Sequence, residues 1–103
     1  MKTYMLIVTE LAHEDLQKAK LFYDKQDVYL GDYFIDSMFI DLDSLQFYGG
    51  IHEKHFGYYK MLAKRFPFAI YYDIEEESIV VHAVLDTRQD PNATEQRLSK
   101  PLL

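Results

Sequence analysis

The spacing of the hydrophobic residues changes repeatedly along the chain, and each change marks the boundary of a predicted element. Met1 to Thr9 reads as a strand, with Tyr4, Leu6 and Val8 alternating against Met5 and Ile7, and so nearly continuous an apolar run implies burial on both faces. From Leu11 to about Lys25 the period lengthens. Ala12, Leu16, Ala19, Phe22 and Tyr23 recur there at steps of three and four, which places them on one face of an amphipathic helix. Glu14 and Asp15 in its first turn and Lys25 in its last suit the helix dipole. After a break near Gln26 and Asp27, a second helix carries a stripe of Leu30, Phe34, Met38, Leu42 and Leu45, widened by Ile35 and Phe39. Asp32, Asp36, Asp41 and Asp43 fall on its outer face. So short a break implies an antiparallel helical hairpin. Gly31 weakens the start of the second helix by up to about 1 kcal/mol relative to alanine, and Gly49 and Gly50 end it.

From about Phe56 the pattern returns to a period of two, with Tyr58, Lys60, Leu62 and Lys64 on one side and Tyr59, Met61, Ala63 and Arg65 on the other. Pro67 cannot donate a ladder hydrogen bond and marks a turn or an edge. Phe68 to Ile74 and Ile79 to Leu85 are aromatic and β-branched runs on either side of Glu75, Glu76, Glu77 and Ser78. The mutual repulsion of the glutamates puts the turn of a β-hairpin there. Pro91 to Leu98 reads as a short helix or turn, and Ser99 to Leu103 as a loose tail. The order strand, helix, helix, strand, strand, strand predicts one α+β domain over residues 1–98. Its helical hairpin covers one face of a mainly antiparallel four-stranded sheet, and the other face is left open.

Composition narrows the function classes. A chain of 103 residues with 49% hydrophobic content sustains one core and excludes two domains. With no cysteine there is no disulfide framework, thiolate metal site or cysteine nucleophile, which fits a reducing cytoplasm. No apolar run approaches the roughly 18 residues of a membrane span, and MKTYMLIVTEL enters acidic, helix-like sequence too soon for a signal peptide. A cytoplasmic protein without a membrane partner is expected. The net charge of −6 and pI near 5.0 argue against general binding of free DNA, for which phosphate neutralisation supplies most of the affinity. The charge is uneven, however: residues 10–50 hold nine acids and three bases, residues 51–72 one acid and four bases, and residues 73–90 six acids and one base. The central basic segment is either a focused contact for an anionic partner or a solvated strand face.

Several local features, taken in order, resemble the RelE/ParE superfamily of type II toxin–antitoxin pairs, closest to its ParE-like, plasmid stabilisation branch. They are Ala12 with Asp15 and Leu16 in the first helix, Lys60 three residues after Gly57, and the basic, aromatic, proline, aromatic run Arg65, Phe66, Pro67, Phe68. Tyr71 and Tyr72 follow, and Leu85, Asp86, Thr87, Arg88, Gln89, Asp90, Pro91 closes the pattern. Two positions depart from it: Asp86 stands where relatives often carry histidine, and Gln89 replaces one of two adjacent arginines. The resemblance implies a toxin neutralised by a cognate antitoxin and directed at DNA gyrase, with no cofactor and no metal, and it leaves a homodimer open. Lys60, Lys64, Arg65, Tyr72 and Arg88 are the expected contacts with target or antitoxin. An alternative is a RelE-type, ribosome-dependent mRNA endonuclease, and a third reading is a non-toxic binding domain that has kept the fold.

Phosphodiester cleavage needs a base, an acid and a cation that stabilises the charged phosphorus, and Lys60, Arg65 and Arg88 are the catalytic candidates for the last role. His82, inside a strand, reads as a packed imidazole rather than a base, while His52 and His55 read as exposed, switchable residues. Glu75 to Glu77 point in different directions from a turn and suit solvation better than a metal. Asp86 and Asp90 flank Arg88 and are placed to hold its guanidinium. Tyr58, Tyr59, Tyr71 and Tyr72 either stack on nucleobases or pack across strands.

Overall fold

The computed structural model describes residues 3–99. Met1, Lys2 and most of the expected tail, Lys100 to Leu103, lie outside the described residues. Strand β1 (Met5–Val8) leads directly into helix α1 (Glu10–Gln26). The Thr9 hydroxyl accepts from the Ala12 N–H at 3.2 Å, which satisfies one of the donors a helix start leaves open. Helix α2 (Leu30–Tyr48) follows after three residues and doubles back along α1. Gly31 has a role its helix propensity does not disclose. A Cβ there would lie 2.7 Å from the Lys20 carbonyl oxygen and overlap the Asp24 carboxylate, so the glycine permits the close approach of the two helices.

The sheet order is β1-β5-β4-β3-β2, with β1 parallel to β5 and every other pair antiparallel. Strands β3 (Tyr58–Leu62), β4 (Phe68–Glu75) and β5 (Ser78–Asp86) match the expected runs. The fifth strand, β2 (Lys54–His55), was not expected; it folds onto β3 through a two-residue turn. Phe56 and Gly57 have φ of +57° and +85° in that turn, the sign at both positions that a tight hairpin requires. The β4–β5 ladder shifts register where Tyr71 faces Ala83 and Tyr72 faces Val81, which makes His82 the extra residue of a β-bulge.

The main core lies between the helical hairpin and the sheet, around Leu16, Phe34, Met38, Leu42, Ile70, Tyr72 and Val81. Phe34 and Phe66 meet edge to face at 5.0 Å, and Tyr23 closes the aromatic end of this core at 4.9 Å from Phe66. Four expectations are corrected. Strand β1 is not buried on both faces: as the edge strand it leaves Met5 68% and Ile7 43% exposed. Phe22, placed on the buried stripe, is half exposed, since α1 turns that position past the sheet. Asp41, placed outside, is buried, and its carboxylate accepts the Lys64 N–H at 3.1 Å, fastening the end of β3 to α2. The second face of the sheet is not open. Helix α3 (Pro91–Leu98) lies over part of it and sets Leu98 among Tyr58, Ala69, Tyr71, Ala83 and Leu85. Among the described residues, no helix is long and apolar enough to cross a membrane.

Candidate functional site

Alternation along the strands sends Tyr58 and Lys60 of β3 and Tyr71 of β4 to the face away from the helical hairpin. There the β2–β3 turn, β4 and the loop from β5 to α3 enclose a cleft of about 230 Å³. His55, Phe56, Lys60, Tyr71, Asp86, Gln89 and Thr94 line it. Among the described residues, no ion pair engages Lys60, so its ammonium is the cleft's uncompensated positive charge. Burial pushes the Tyr71 hydroxyl pKa above its ordinary value and keeps it a neutral donor.

Arg88 leaves the end of β5 beside this cleft and is held by Asp86. Its Nε donates to Oδ1 at 3.0 Å, its Nη2 to Oδ2 at 2.8 Å, and its backbone N–H to Oδ1 at 2.8 Å. The guanidinium hydrogen bonds hold the Asp86 carboxyl below the usual carboxylate range, so it stays ionised and neutralises the arginine. Asp90 does not share this pairing. It caps α3, accepting the Asn92 N–H at 2.9 Å, because the helix that starts at the next residue, Pro91, takes its carboxylate. Gln89 donates to the Thr94 hydroxyl at 2.9 Å and steadies the same loop.

The remaining candidates fall elsewhere. Lys64 and Arg65 are exposed in the β3–β4 turn. Tyr72 is fully buried, stacked on Tyr59 with ring centroids 5.1 Å apart, and so is a core residue rather than a surface contact. Its hydroxyl accepts the Gly50 N–H at 2.9 Å and hydrogen-bonds to His52 Nδ1, pinning the segment after α2 to the sheet. His52 is therefore not the exposed residue expected, and burial lowers its pKa. His55 is exposed beside Glu53. His82 Nε2 stands 3.3 Å from the Asp73 carboxylate with its ring against Tyr58, a packed imidazole. Glu76 and Glu77 form the exposed β4–β5 turn, and among the described residues no three His, Cys, Asp or Glu side chains are grouped to hold a metal.

Sequence reasoning missed the Asp15–Arg97 pair. Strand β1 pairs with β5 only as far as Val81, so the rest of that β5 edge has no strand beside it. Asp15 of α1 accepts the Val84 N–H at 3.0 Å, and Arg97 of α3 reaches the His82 carbonyl at 3.4 Å. The two side chains bond to each other at 2.7 and 2.8 Å. Together they stand in for the missing strand and tie α1, β5 and α3 into one unit. No sequence signal pointed to it: the apolar run Met1 to Thr9 is longer than Ile79 to Leu85, and only the observed Met5–Val8 strand leaves polar backbone of β5 in need of partners.

No protein-family model and no curated protein matches the chain. Among solved structures, it is similar to a chain of the chromosomal ParDE TA system from P. aeruginosa, with a TM-score of 0.69 at 15% sequence identity. The alignment covers 84% of this chain and 98% of that one. The protein thus shares the α+β fold of that chain, with β2 and the parallel β1–β5 pair completing its own sheet.

Proposed function

We propose that the protein is the toxin of a ParE-type toxin–antitoxin pair, silenced by a cognate antitoxin and directed at a protein target, with DNA gyrase the first to test. The observation that carries this reading is the fold likeness to a chain of a ParDE system over nearly that chain's whole length. The cleft favours a protein target over a phosphodiester: Asp86 already neutralises Arg88, and Arg65 lies in the β3–β4 turn, so Lys60 is the one catalytic candidate lining the cleft with its charge uncompensated. Induced expression in a heterologous bacterium should arrest growth, and co-expression of the adjacent small open reading frame should relieve the arrest and yield a co-purifying complex. Purified protein should inhibit supercoiling by gyrase. Unimpaired growth would reject toxicity in favour of a binding domain that keeps only the fold.

A second reading, ribosome-dependent mRNA cleavage, is favoured by the meeting of Lys60, His55 and Tyr71 in one cleft. It requires translation-dependent transcript cleavage that Lys60→Ala abolishes; cleavage at the wild-type rate in that variant removes the assignment.

A further inference from the structure

We propose that the outward face of α2 is the seat of a partner's basic amphipathic helix. Tyr33, Ile40 and Phe47 are 52%, 56% and 55% exposed and follow one another at seven-residue intervals. At 1.5 Å per residue they stand about 10.5 Å apart, in a stripe about 21 Å long. Asp36 and Asp43, both exposed, lie three residues after Tyr33 and Ile40. The seam therefore runs apolar, acidic, apolar, acidic, apolar. The core is built from the other side of the helix, by Phe34, Met38, Leu42 and Leu45; the Tyr33 ring also meets Phe66 at 5.6 Å, yet about half or more of each stripe residue is left uncovered.

Spacing and charge identify the occupant. A seven-residue repeat is the one by which two helices interlock side chains along a shared seam. An extended strand repeats its side chains about every 6.6 Å on one face and loses step with this stripe. Helix α2 contains four aspartates and no lysine or arginine. A second copy laid on the same face sets carboxylates against carboxylates, whereas a helix with lysine or arginine opposite Asp36 and Asp43 completes the seam. That this helix belongs to an antitoxin rests on the toxin–antitoxin reading; its chemistry does not.

The test measures fluorescence anisotropy of a labelled peptide of three heptads, with leucine at each first position and lysine at each fourth, titrated with the intact chain. Saturable binding is expected, weakened at least about tenfold by Ile40→Asp and weakened again when salt rises from about 0.05 M to about 0.5 M. A peptide with glutamate in place of lysine should not bind. Because Ile40 is exposed, the substitution leaves the fold intact, which circular dichroism verifies. Absence of saturable binding, or equal affinity for the Ile40→Asp chain or for the glutamate peptide, overturns the proposal. An antitoxin complex that persists unweakened in Ile40→Asp also overturns this seat and leaves the antitoxin reading standing. Failure of the wild-type chain to bind the adjacent gene product rejects that reading instead, and the peptide titration still decides the surface.

Discussion

Replacing Asp15 with alanine removes the group that closes the open edge of β5. Val84 loses the acceptor of its 3.0 Å hydrogen bond, and an unsatisfied buried N–H costs about 1–3 kcal/mol. Arg97 loses both bonds to the carboxylate, at 2.7 and 2.8 Å. Breaking a buried pair costs about 3–5 kcal/mol, but the Arg97 side chain is 27% exposed and recovers part of its hydration, which puts this loss at or below the lower end. Alanine's better helix propensity returns under about 1 kcal/mol. The expected net loss is about 3 kcal/mol, a large share of the roughly 5–15 kcal/mol that holds a domain together. For a domain of this size, that corresponds to a melting temperature lower by roughly 12–20 °C. Urea and thermal unfolding followed by circular dichroism measure it, and hydrogen exchange at the Val84 amide reports the local cause. Arg97→Ala leaves the Val84 bond in place but strands the 10% exposed Asp15 carboxylate without its cation, so it should cost up to about 3 kcal/mol, with the double variant little worse than Asp15→Ala alone. A stability for Asp15→Ala within about 0.5 kcal/mol of wild type would refute the view that this pair substitutes for a strand.

Gly31→Ala should destabilise by about 1–2 kcal/mol in thermal unfolding, because the clash with the Lys20 carbonyl and Asp24 outweighs a propensity gain of about 1 kcal/mol; a stabilised variant would show that the helices can separate freely. Since burial lowers the folded-state pKa of His52, the unfolded chain takes up the proton first as pH falls. Stability should be complete above pH about 6.5 and decline below it, a slope that His52→Asn flattens in urea titrations at pH 5 and 7. Phe56→Asn should stabilise by about 0.5–1 kcal/mol, since asparagine tolerates the positive φ of the β2–β3 turn better than phenylalanine; chemical denaturation checks it.

Both long helices and the β4–β5 hairpin were legible because their apolar residues keep a clean period and their ends carry plain signals, Lys25 and Gly49 among them. Strand β2 was not: two residues are too few to show a period, and Phe56 hides a turn that asparagine would have announced. Asp41 was misplaced because an aspartate on a helix reads as solvated until a backbone donor such as Lys64 N–H is found for it. Arg97 and Asp15 lie at opposite ends of the chain, and no local pattern links them. The cleft was read in part: Lys60 was picked from the basic segment, but Phe56 joins it through the unexpected β2–β3 turn, and Gln89 and Thr94 only because α3 folds back across the sheet.

The parallel pairing of β1 with β5 carries a consequence for synthesis on the ribosome. The first strand made has no strand partner until the last strand emerges, so the sheet stays incomplete through most of translation. The helical hairpin precedes that closure, and the seam on α2 belongs entirely to one local element. A partner able to recognise a lone helix can thus meet this chain during its birth, before the cleft on the far face exists. Restraint would then come ahead of competence, a timing set by the order of strands rather than by affinity.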